Sequence, residues 1–85
     1  MYFHATGTIP DLEKLGPHLE EETQVVTKLA EEGVIKGLFR LTERSGVYMI
    51  VEADDLEDAR KQVGRMPFVI NGLLSFEFEP VEKLL

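Results

Sequence analysis

Apolar residues recur every second position over some segments and at helical spacing over others, and the order of these segments restricts the fold more than any other feature. Met1 to Ile9 alternate, with Met1, Phe3, Ala5, Gly7 and Ile9 on one side and Tyr2, His4, Thr6 and Thr8 on the other. Gly16-Pro17 followed by Glu20, Glu21 and Glu22 places proline and carboxylates where a helix begins, and Gly33 supplies a left-handed stop, so the first helix is predicted over Pro17 to Glu32. Val34 to Leu41 and Val47 to Ala53 alternate again around a turn at Glu43 to Gly46, which reads as a hairpin. Asp54 with Glu57 resembles a capping box. It is followed by the stripe Leu56, Ala59, Val63 and Met66, which Pro67 ends. Phe68-Val69-Ile70 reads as an exposed apolar connector that turns at Asn71-Gly72 into a last strand, where Leu74, Phe76 and Phe78 alternate with Ser75, Glu77 and Glu79.

The order is βαββαβ. Right-handed crossovers are expected to set the first and third strands in parallel at the centre of a ferredoxin-like, four-stranded antiparallel α+β sheet, with two helices on one face. At 85 residues the chain is one domain, 1–85, and it holds no cysteine to staple a small core. Burial between subunits is the remaining remedy, so a homo-oligomer is expected. Sixteen acidic against nine basic residues give a net charge of −7, which argues against nucleic acid and anionic membrane partners. No run of apolar residues reaches the roughly 18 needed to span a bilayer, and no leader pattern opens the chain, so a cytoplasmic location is expected.

If the more apolar register of each strand meets the helices, the other register gathers Tyr2, His4, Thr6, Lys36, Leu38, Arg40, Tyr48, Ile50, Glu52, Ser75 and Glu77 on the helix-free face. That mixture suits a partly enclosed cavity in which a few donors orient an apolar ligand, and it equally suits a solvated sheet with stray hydrophobes. Leu15, Leu19, Val26 and Leu29 share one stripe of the first helix, and Glu22 falls inside it. Burial there would raise its pKa and suit it to general acid/base work, whereas a neighbouring cation or contact with water would keep it an ordinary carboxylate. His4 is a candidate for proton transfer or a structural histidine; Arg40 is a carboxylate binder or a surface ion pair. Two histidines, His4 and His18, do not make a metal site.

Met1-Tyr2-Phe3-His4 at the start, Glu32-Gly33 at the helix end, Leu38-Phe39-Arg40 closing the second strand, and Met66-Pro67-Phe68 after the second helix occur in an order and spacing that resembles the muconolactone delta-isomerase family. The resemblance implies a dimeric α+β barrel and a double-bond shift in a small unsaturated lactone by proton transfer, with no metal or organic cofactor. It implies Glu22 and His4 as the proton-handling residues. Arg40 would hold a carboxylate or lactone oxygen, and Tyr48, Tyr2, Leu38 and Phe68 would contact the substrate. Thr6 stands where those isomerases carry a lysine, and Thr42 to Gly46 lacks their histidine, so another enolisable lactone or ketone is an equal expectation. A cofactorless monooxygenase or cyclase on the same barrel and a non-catalytic binding or assembly module are the rival readings.

Overall fold

The computed structural model describes residues 1–85. Strands β1 (Tyr2–Thr8), β2 (Ile35–Arg40), β3 (Gly46–Glu52) and β4 (Ser75–Val81) form one sheet in the order β2-β3-β1-β4. Two single-turn 3-10 segments, Leu12–Lys14 and Gly16–His18, lead into α1 (Leu19–Glu31), while α2 (Leu56–Val63) and the one-turn α3 (Pro67–Ile70) lie between β3 and β4. The ferredoxin-like α+β fold is therefore present, with one correction to its direction. β1 and β3 are antiparallel neighbours. Each crossover skips a strand, so the parallel pairs are β1 with β2 and β3 with β4, each separated by an antiparallel strand.

Local chemistry accounts for the element ends. Gly33 sits at φ +82°, and the Val34 N–H donates to Leu29 O at 2.9 Å while Gly33 N–H donates to Ala30 O at 3.1 Å, the paired bonds of a Schellman stop. α1 begins two residues later than predicted because residues 16–18 take the tighter 3-10 turn behind Pro17. The α2 cap is also shifted by one residue: Asp55 accepts from Asp58 N–H at 2.8 Å, and the Asp58 carboxylate accepts from Asp54 N–H at 3.0 Å. Phe68-Val69-Ile70 is not an exposed connector. Pro67 starts a helical turn whose Phe68 is buried, leaving Ile70 outside.

The core lies between the helices and one sheet face: Phe3, Ala5, Met49 and Val51 meet Leu29, Ala59, Val63 and Met66. β2 carries the main departure from the predicted register. Ile35 pairs with Val51, but Gly37 pairs with Ile50, so Lys36 is an extra residue, a β-bulge. One inserted residue moves every later side chain to the opposite face. Leu38 opposite Met49 and Arg40 opposite Val47 therefore face the helices, and Gly37 and Phe39 take the helix-free face that Leu38 and Arg40 were expected to occupy. No helix is long and apolar enough to cross a membrane.

Candidate active site

Glu22 follows the inward stripe of α1 and is only 6% exposed. Its surroundings explain why a carboxylate is tolerated there. Pro67 opens α3 without an N–H, so the first donor of that turn belongs to Phe68, and it donates to Glu22 Oε1 at 2.9 Å. Burial raises the Glu22 pKa above the ordinary carboxylate value, and the Phe68 hydrogen bond pulls it partly back.

The Glu22 side chain borders a cavity of about 300 Å³ walled by Ile9, Val26, Leu38, Val47, Met66, Phe68 and Leu74. Thr23 and Thr27 also line it, but their hydroxyls donate to helix carbonyls, at 2.8 Å to Leu19 O and 2.7 Å to Thr23 O. Glu22 is thus the one ionisable group lining a half-open, largely apolar cavity. A second recess of about 720 Å³ shares Ile9, Val47 and Phe68 with the first, and is lined by Arg40 and Arg44 together with Leu12, Leu15 and Leu19. Neither arginine joins either of the chain's two ion pairs, Lys36–Glu52 and Glu32–Arg65, and Glu43 lines the same recess.

The sheet separates these residues from the rest of the predicted site. Tyr2, His4 and Tyr48 lie on the helix-free face, where the His4 and Tyr48 rings are 5.1 Å apart and Phe39 stacks on Tyr48 at 4.8 Å, 16° from parallel. Near Tyr2 a shallower concavity of about 610 Å³ includes Phe39, Ile50 and Lys83, whose ammonium is 6.0 Å from the Tyr2 ring centre. The single chamber in which Glu22 would reach His4, Arg40 and Tyr48 does not form within the chain: Glu22, Arg40, Leu38 and Phe68 share the helix side, and the two tyrosines and His4 face away. Sequence reading missed Val47 and Arg44 as walls of the recess and Phe39 as the partner of Tyr48. The bulge hides Phe39, and nothing in the alternation of β3 separates Val47 from ordinary core.

No family model matches the chain, and no curated protein matches it in sequence. Solved structures do. A crystal structure of muconolactone isomerase superposes with a TM-score of 0.77 at 18% identity, over 98% of this chain and 90% of that one. The chain shares that enzyme's fold. The 5-chloro-2-hydroxyhydroquinone dehydrochlorinase TftG from Burkholderia phenoliruptrix AC1100, in complex with 2,5-dihydroxybenzoquinone, superposes with a TM-score of 0.72 at 16% identity, over 96% of this chain and 94% of that one. The likeness to muconolactone isomerase read from short motifs thus holds at the level of the fold, from end to end of the chain.

Proposed function

We propose that the chain is an enzyme of the muconolactone-isomerase type, catalysing cofactor-independent proton transfer on a small unsaturated lactone or a related enolisable ring in the cytoplasm. The observation that carries this reading is Glu22: a buried carboxyl of raised proton affinity, alone among apolar walls in a cavity of ligand size. A carboxyl poised nearer neutrality takes a proton from one carbon and returns it to another more evenly than an exposed glutamate does.

Arg40 faces the adjoining recess, where its planar guanidinium suits a carboxylate or developing oxyanion on the same substrate. Phe68 borders both spaces and holds Glu22 through its backbone, so it orients ligand and base together. His4, Tyr48 and Tyr2 belong to a different role. With Phe39 they make an aromatic run on the helix-free face, and a second copy of the chain covering it would give the homodimer that a small core without disulfides favours.

The test is deuterium exchange and double-bond migration on muconolactone, followed by proton NMR in D2O, for the unchanged protein and Glu22→Gln. The amide keeps a hydrogen-bond acceptor for Phe68 but has no proton affinity in the working range. Loss of exchange with retained binding supports the reading. Undiminished exchange in Glu22→Gln overturns it and leaves Glu22 as the cap of α3.

A further inference from the structure

The recess that adjoins the Glu22 cavity combines two kinds of lining. Leu12, Leu15 and Leu19 are spaced three and then four apart, and the 3-10 turn closed by Leu15 N–H on Leu12 O, at 3.3 Å, leads on into α1 so that all three line one space. Leu15 packs on the core, but Leu12 is 61% and Leu19 55% exposed. Arg40 and Arg44 with Glu43 supply the charge, a surplus of one positive in a chain whose net charge is −7. The Ser45 hydroxyl donates to Ile9 O at 3.0 Å and ties the turn that carries Arg44 to the residue after β1, which borders both the recess and the Glu22 cavity.

We propose that the substrate handled at Glu22 is a ring with an apolar extension, a fused second ring or a short branched chain, which lies against the exposed leucines of the recess while Arg40 and Arg44 hold an ionised oxygen. The inference rests on reading the Glu22 cavity as the reaction site and narrows its substrate class. A cavity of about 300 Å³ already takes a single ring. Such a ring leaves the recess of about 720 Å³ to water and its leucines uncovered. An extension that follows the shared walls Ile9, Val47 and Phe68 into the recess removes its own apolar surface and that of Leu12 and Leu19 from water together. The neighbouring guanidiniums favour an acidic enol or a carboxylate over a neutral ligand of the same shape.

Calorimetric titration with 2,5-dihydroxybenzoquinone, its fused relative 2-hydroxy-1,4-naphthoquinone and the 3-(3-methylbut-2-enyl) derivative of the latter tests this. The proteins are the unchanged chain, Leu12→Gln, Leu19→Gln, their double variant and Ile70→Gln, with circular dichroism to check folding. Ile70 is 68% exposed and lines neither space. Burying one CH2 is worth about fourfold in affinity, so the unchanged protein should bind the most extended ligand at least about tenfold more tightly than the single ring. The double variant should lose most of that gain while its single-ring affinity changes far less, and Ile70→Gln should keep the gain. No gain with extension in the unchanged protein, a gain that survives in the double variant, or one that Ile70→Gln lowers equally overturns the proposal. So does a double variant that loses subunits in sedimentation velocity with its ligand affinities unchanged, which assigns the leucines to a contact between copies. The exchange assay with Glu22→Gln is scored separately. Lost exchange without the gain removes only the extension, whereas retained exchange with an intact gain removes the reaction and leaves a binding site.

Discussion

Replacing Glu22 separates two opposed effects of one side chain, and pH tells them apart. In Glu22→Ala the Phe68 N–H loses its acceptor in a buried place, at a cost of about 1–3 kcal/mol. For a domain of this size each kcal/mol moves Tm by about 4–8 °C, so a mid-range loss is a fall of about 8–16 °C. Glu22→Gln keeps an acceptor and should lose much less. The carboxylate itself is unfavourable where it sits, because its folded pKa lies above the unfolded value. Between those two values the folded state holds a proton that the unfolded state has released, so stability falls as pH rises through the window and is constant beyond it. The limiting slope is about 1.4 kcal/mol per pH unit. The stability of the unchanged protein minus that of Glu22→Gln should therefore decline from pH 4.5 upward and then level off, while the other fifteen acidic residues cancel in the difference. Urea denaturation of both proteins in half-unit steps measures it. A difference that is flat with pH, or that grows in favour of the unchanged protein as pH rises, refutes the claim that burial dominates at Glu22, and with it the basis for general acid/base work there.

Gly46→Ala should be far costlier than Gly72→Ala, although both positions have positive φ. A Cβ at Gly46 runs into the Gly7 carbonyl oxygen of β1, whereas one at Gly72 meets only open space and costs about 1–2 kcal/mol of left-handed strain; thermal melts of the two variants rank them. Arg40→Gln should leave Tm within a few degrees and weaken binding of anionic 2,5-dihydroxybenzoquinone by about tenfold or more, as expected for a lost charge-assisted hydrogen bond, and equal affinity would remove Arg40 from the site. Tyr48→Glu should convert a dimer to monomer in sedimentation equilibrium without changing the exchange chemistry of freshly diluted protein, since Tyr48 stacks on Phe39 on the face away from Glu22.

The parts of the fold that were legible in the sequence are those governed by local periodicity. The alternation of β1, its buried Phe3 and Ala5 with Ile9 just beyond the strand, the glycine stop after α1, and the inward place of Glu22 with Leu29 all follow from local spacing and stand as expected, whereas Leu19 of the same predicted stripe is 55% exposed. The relative direction of β1 and β3 was misread for a different reason: handedness constrains the strands that a helix joins, and here those strands are not neighbours. The one-residue shift of the α2 cap is a choice between adjacent acceptors of similar strength, Asp54 or Asp55, Glu57 or Asp58, which only the assembled turn decides.

The site was half legible, and the division falls at Lys36. The alternation of Ile35 to Arg40 hides the bulge, because the regular register already places one aliphatic, one glycine or lysine and one large residue on each face, whereas the observed one gathers Ile35, Leu38 and Arg40 on the core face and leaves Lys36, Gly37 and Phe39 on the other. What decides between them is the partner strand: Met49 and Val47 on the core face of β3 accept Leu38 and Arg40 opposite them, and Tyr48 accepts Phe39 in a stack. The regular register would pair Gly37 with the fully buried Met49 and Phe39 with Val47, and give Arg40 to the open face, losing the aromatic stack on Tyr48. Packing on β3 therefore selects the irregular backbone of β2. That selection brings the only unpaired cation of β2 to the same side of the sheet as the buried Glu22, so the placement of Arg40 is written in the facing strand rather than in the segment that supplies it.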